Sequence, residues 1–168
     1  MEAAIGIEQL KKLPRLVTER QALAARLTQG LRDLKGLRTP VVKQDCSHVY
    51  YVYPMVLDAA ATGVPRERII AALVAEGVSV AGGYCNLHLL PMYQKRMAYG
   101  SKGFPWSGGL YRGKVSYAKG ICPAAESLND ERFLCIGLCQ YAYTAEDIDL
   151  IAEAFRKVWL NLDRLTAA

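Results

Sequence analysis

The sequence predicts an α+β domain, a mostly antiparallel sheet of about three strands covered by helices and preceded by one long helix. Three observations carry this. Apolar residues recur at spacings of three and four near both ends of the chain, which is the period of a helix with one buried face. Short runs rich in β-branched and aromatic residues lie between them, as strands require. The resulting order is helix, strand, helix, strand, loop, helix, strand, helix.

The first helix is read from Glu2 to Lys35. Leu10, Leu13, Val17, Ala24, Leu27, Leu31 and Leu34 form its stripe. Pro14 predicts a kink or restart, and Gly36 a C-cap. No capping side chain precedes "EAAIGIEQLKKL", so this helix is expected to begin in mid-course, and its stripe asks for more partner surface than a short sheet offers. "HVYYVYPMVLD" (His48 to Asp58) reads as a strand. "PRERIIAALVAEG" reads as a helix with Pro65 in its first position and Gly77 past its end, and "VSVAGG" as a second strand. From Tyr84 to Gly120 the chain is rich in Gly, Pro, Tyr and Trp and reads as a loop region; loops of that length carry function or are disordered. "CPAAESLNDERFL" predicts a helix and "LCIGLC" a last strand. The final helix is the clearest. Thr144 caps it, Asp147 answers three residues on, and Ile148, Ile151, Ala152, Phe155, Val158, Trp159 and Leu162 share one face.

At 168 residues the chain is one domain's worth, and 52% apolar with 22% charged residues is an ordinary globular balance. No apolar run approaches the length of a membrane span and no basic-then-apolar signal opens the chain, so a cytoplasmic protein without membrane association is expected. Much of the net charge of +5 is assigned to the first helix, where Lys11, Lys12, Arg15, Arg20, Arg26, Arg32 and Lys35 are spread over a solvated surface. No aromatic residues interleave with them, which argues against nucleic acid; a mild pull on anionic substrates such as phosphates stays open. Five cysteines (Cys46, Cys85, Cys122, Cys135, Cys139) are read as reduced, buried, small side chains rather than metal ligands.

Chemistry is sparse. There is no phosphate-cradling glycine loop of the Walker or Rossmann type and no nucleophile elbow. His48 reads as a partly exposed strand end. His88 lies in "GGYCNLHLLPMY" beside Tyr84, Asn86 and Tyr93, where paired glycines let the backbone approach a ligand; a half-buried loop histidine and a ligand contact are both open readings. "YGSKGFPWSGG" fits either a packed Ω-loop or a lid over a ring-shaped polar substrate such as a sugar. The carboxylates are scattered: Glu126 and Glu131 on one helix, Asp147 and Asp149 on another, with no acid/base pair evident.

Five segments in order resemble the DegT/DnrJ/EryC1/StrS family of sugar aminotransferases. They are "EAAIGIEQLKKL", "HVYYVYPMVLD", "LVAEGVSVAGGYCNLHLLPMY" with its L-H-L-x-P-x-Y, "CPAAESL", and "YTAEDIDLIAEAFRKV". The resemblance implies the small C-terminal domain of an aspartate-aminotransferase fold. Residues 1–36 would be the long helix linking to a cofactor domain outside this chain, and 37–168 the small domain itself. It implies a pyridoxal-phosphate (PLP) enzyme that transfers an amino group from glutamate or glutamine to a keto-sugar, commonly nucleotide-linked, as a homodimer. It implies no catalytic residue here, since the Schiff-base lysine would lie outside the chain; Lys11, Lys12, Lys95 and Lys102 match no such motif. Tyr84, Asn86 and His88 are the implied substrate-binding residues, the 100–118 loop a subgroup-specific lid, and no metal is implied. The alternative is a stand-alone, non-catalytic binding or oligomerisation module derived from that domain.

Overall fold

Helix α1 (Glu2–Leu31) runs without interruption through Pro14 in a computed structural model of the chain. No restart occurs at Pro14, because a proline removes a single backbone donor and the good helix formers on either side hold the remaining ladder. The helix stops at Leu31, short of the expected Lys35, and Gly36 (φ +74°) instead makes the turn into the sheet. That position needs glycine twice over. Its φ is left-handed, and a Cβ would meet Thr62 Cγ2 at 2.9 Å. The residues described are 1–109 and 111–166; Leu110, inside the expected 100–118 lid, and the last two positions lie outside them.

The sheet has four strands rather than about three: β1 (Leu37–Arg38), β2 (Tyr53–Leu57), β3 (Val80–Gly82) and β4 (Phe133–Ile136), in the order β1-β2-β4-β3, with every pair antiparallel. The extra strand is the two-residue β1, too short to show a period. Register follows from burial. Tyr53, Met55 and Leu57 alternate inward along β2, and Met55 faces Leu134 while Ile136 lies between Tyr53 and Val80. The strand expected from His48 begins only at Tyr53, since Tyr50 has φ +49° and breaks the extended run.

Between the strands lie α2 (Ala59–Thr62), capped by the Asp58 carboxylate, and α3 (Arg66–Ala75), with Pro65 at the N-cap rather than the first helical position. The final helix appears as α6 (Ala145–Leu160), with the full capping box of Thr144 and Asp147, followed by α7 (Leu162–Thr166). Ala24, Leu27, Leu31, Leu73, Leu134, Ile136, Ile148 and Phe155 bury their side chains in one core. Each fully buried Leu, Ile or Phe contributes about 2 kcal/mol. Helices α1 and α6 meet at Gly30, where a Cβ would stand 2.7 Å from that of Ala152. Arg26 crosses to Asp149 with two bonds of 2.6 Å, and Trp159 Nε1 donates to Lys35 O at 2.8 Å. The Tyr53 hydroxyl sits 2.8 Å from Thr28 Oγ1, and burial pushes it up to about 12.

These elements form one compact unit, made of Met1–Gly82 and the chain from Phe133 onward. The other unit is Gly83–Arg132. It contains a 3-10 turn (Leu87–Leu89), α4 (Pro91–Gln94), α5 (Pro123–Ser127) and a π-turn (Leu128–Arg132). The helix expected to continue to Leu134 thus ends early, and Phe133 enters β4. No helix of the described residues is long and apolar enough to cross a membrane. The cysteines differ from expectation: Cys46, Cys85 and Cys122 are exposed, and Cys135 and Cys139 half-buried. Cys46, Cys85, Cys122 and Cys139 lie outside helices and strands, and Cys135 alternates along β4 with the buried Leu134 and Ile136.

Candidate functional site

The Gly83–Arg132 unit is held by polar groups and aromatic rings rather than by an aliphatic core. Gln94 Nε2 donates to His88 O at 2.7 Å and to Tyr117 O at 2.6 Å, tying the turn after Asn86 to the far side of the long loop. Tyr93, Trp106 and Tyr117 lean on one another with ring centroids 5.2–6.2 Å apart, and Trp106 Nε1 donates to the Tyr117 hydroxyl at 3.0 Å. The "YGSKGFPWSGG" stretch therefore packs its tryptophan, while Tyr99 stays exposed.

The three residues singled out by sequence fall into two sets. Tyr84 keeps its side chain 57% exposed while its N–H donates to Asn129 Oδ1 at 3.1 Å. Asn86 donates to Asp130 Oδ1 at 2.7 Å and accepts from Asn129 Nδ2 at 2.9 Å, so both ends of its amide bind within the chain. The π-turn that follows α5 thus anchors the loop carrying both. Lys119 reaches the other oxygen of Asp130 at 3.3 Å.

His88 belongs to a second set. Its side chain is only 9% exposed, and Nε2 lies 2.9 Å from Glu126 Oε1, whose side chain is equally buried. The oxygen stands off the line of the ring N–H, so Nε2 is enclosed without an aligned hydrogen bond. Glu126 also accepts from the N–H of Gly120 through both oxygens at 2.8 Å and from the N–H of Cys122 at 3.1 Å. Gly120, at φ +99°, adopts the conformation that aims its N–H at the carboxylate, and only glycine does so without strain. Burial by itself raises the Glu126 carboxyl; the Gly120 and Cys122 donors, with the imidazole, outweigh it and hold the group below the usual carboxylate range. Sequence reading placed Glu126 among the scattered carboxylates and missed this pair. The one available signal was its place in "CPAAESL", a motif that stands apart from "LHL" in sequence.

A groove of about 330 Å³ lies on the same unit, lined by Tyr93, Gln94, Arg96, Lys114, Ser116 and Tyr117. Arg96 has φ +49° and donates to a backbone carbonyl, Val115 O, at 3.3 Å. Positive charge gathers in this unit as well as on the first helix, where Lys11, Lys12, Arg15, Arg20, Arg26, Arg32 and Lys35 stand against Glu2, Glu8, Glu19 and Asp33. No acidic residue occurs between Glu76 and Glu126, and the Gly83–Arg132 unit carries seven basic against three acidic residues, most of the chain's +5. All nine lysines are exposed. Among the described residues no three His, Cys, Asp or Glu side chains gather as metal ligands.

A family model described as the DegT/DnrJ/EryC1/StrS aminotransferase family matches residues 1–132. The spore coat polysaccharide biosynthesis protein SpsC of Bacillus subtilis is 28% identical over 164 residues, 97% of this chain and 37% of SpsC. Among solved structures, the aminotransferase TlmJ from Streptoalloteichus hindustanus is 28% identical with a TM-score of 0.68, over 96% of this chain and 36% of TlmJ. DesI, solved in the presence of its TDP-sugar product, is 22% identical with a TM-score of 0.70, over 98% of this chain and 36% of DesI; at that identity the likeness concerns the fold. The chain thus spans little more than a third of the length of these relatives.

Proposed function

This chain belongs to the DegT/DnrJ/EryC1/StrS aminotransferase family, whose enzymes depend on PLP, and from that premise we propose that it is the C-terminal small domain of a sugar aminotransferase. The enzyme would move an amino group from an amino-acid donor, glutamate or glutamine, to a keto-sugar that is nucleotide-linked. One observation carries the substrate class: the cationic groove bearing Arg96 and Lys114, in a stretch with no carboxylate between Glu76 and Glu126. Guanidinium and ammonium groups beside two tyrosines suit a phosphate-bearing ligand.

The described residues do not by themselves fit PLP. The cofactor is carried by a lysine in a shielded pocket, and every lysine here faces water, Lys11, Lys119 and Lys157 in exposed pairs with carboxylates. PLP, when bound, supplies the electron sink for the amino transfer. The carrying lysine is therefore assigned to a cofactor domain outside this chain. The residues here have the substrate-side work: Tyr84 offers an exposed ring and hydroxyl, Asn86 fixes the loop that presents it, and His88 a contact from the 3-10 turn. Ile5, Ile7, Leu10 and Leu13 on α1, all well exposed, are the surface that would lie against the cofactor domain, with residues 1–36 as the linking helix. A homodimer completes the reading.

Titration of the chain with a nucleoside-diphosphate sugar and with the matching free sugar tests the substrate class. Binding of the first and not the second is expected; equal affinity overturns it. The 168-residue chain mixed with PLP, glutamate and a nucleotide-linked keto-sugar should form no amino-sugar. Turnover would overturn the assignment of the lysine to another domain. The second reading, a non-catalytic binding module, draws on the same exposed lysines. It predicts ligand binding with no turnover even when the chain is assayed within its whole gene product.

A further inference from the structure

We propose that Glu126 is a positioning residue for His88: it holds the imidazole with Nε2 inward and bearing the proton, which leaves Nδ1 as the outward-facing acceptor for a substrate hydroxyl. The last clause rests on the reading of His88 as a substrate-side contact; the orientation of the ring does not.

Four observations support the arrangement. Both side chains are nine-tenths buried, and burial of a carboxylate is tolerated only where partners replace its water. Glu126 has those partners in the N–H groups of Gly120 and Cys122, which fix both of its oxygens independently of the histidine. His88 Nε2 is closed to solvent and lies 2.9 Å from one of those fixed oxygens, so it has no other group to answer. Nδ1 is the ring's remaining polar atom, and it is not enclosed in the same way. A carboxylate beside one ring nitrogen draws the proton to that nitrogen and leaves a lone pair on the other. The backbone is held as well, since Gln94 donates to His88 O. The ring therefore has little freedom to flip, and its outward nitrogen is presented in one state. Because the same carboxylate pins Gly120 and Cys122, the 3-10 turn and the segment leading into α5 are held together.

The chain contains only two histidines, so a long-range proton–nitrogen NMR spectrum reads each ring separately. His48 is an internal reference, because its Nδ1 accepts from the Tyr50 N–H at 2.8 Å. At a pH where both rings are neutral, His88 should show a protonated Nε2 and a lone-pair Nδ1. Glu126→Gln should move the His88 nitrogens toward the average of the two tautomers while the His48 signals stay in place. Glu126→Asp, which keeps the charge, should restore part of the wild-type pattern. A wild-type spectrum with the proton on Nδ1, or with both tautomers mixed, overturns the proposal without any variant having to fold. An unchanged pattern in a folded Glu126→Gln protein overturns it too. Addition of a nucleoside-diphosphate sugar separates the two readings: if the tautomer is as stated but Nδ1 does not shift on saturation, the positioning role stands and the substrate contact of His88 falls.

Discussion

The two units of this chain are stabilised by opposite means. In the unit built on the sheet, alternate residues of β2 and β4 enter a core shared with side chains of α1, α3 and α6, and residues such as Phe155, Leu27 and Met55 lose all contact with solvent. Among the described residues of the Gly83–Arg132 unit only Glu126 is buried, and it is a carboxylate. Regular secondary structure satisfies its own backbone and frees side chains to make a core. A loop-rich segment must satisfy its backbone with side chains, and Gln94, Asn129 and Glu126 are used in that way. The first unit is thereby made stable, and the second is given a fixed polar surface.

That contrast can be broken in order of expected size. Phe155→Ala should cost about 3–5 kcal/mol in denaturant unfolding, with no direct effect on nucleoside-diphosphate binding. Gly30→Ala should destabilise by about 1–3 kcal/mol through overpacking against Ala152, despite alanine's better helix propensity; a more stable variant would show that α1 and α6 can move apart at no cost. In the other unit, Arg96→Ala with Lys114→Ala should weaken nucleoside-diphosphate binding about tenfold, the loss of roughly one charge-assisted contact, while thermal unfolding of the core stays where it was.

Acid should produce the smallest effect, and in both units. Hydrogen bonds from the Thr144 N–H and hydroxyl hold Asp147 below the ordinary aspartate value, Arg26 does the same for Asp149, and Glu126 is also depressed. A carboxyl whose folded value is depressed stabilises the fold above its unfolded value, about 4, and loses that contribution as pH falls through the folded one. Melting temperature should therefore decline below about pH 4. Glu126→Gln should remove the share that belongs to the Gly83–Arg132 unit and leave that of α6, which hydrogen exchange read unit by unit would resolve.

Sequence by itself determined the elements whose signals are local. The α6 capping box is a three-residue relation between Thr144 and Asp147, and the face from Ile148 to Val158 is a helical period, so both were legible without tertiary information. The α+β class, the strand cores at Met55 and Val80 and the family motifs were legible for the same reason. Tertiary structure decided what depends on groups distant in the chain. It delayed the start of β2 to Tyr53, made a strand of Leu37–Arg38 by pairing it with Val56 and Leu57, and required glycine at Gly30. It also brought Glu126 to His88. A carboxylate and an imidazole carry no mark of their partner along a sequence; their pairing is created only when two turns fold over the same small volume and water leaves it.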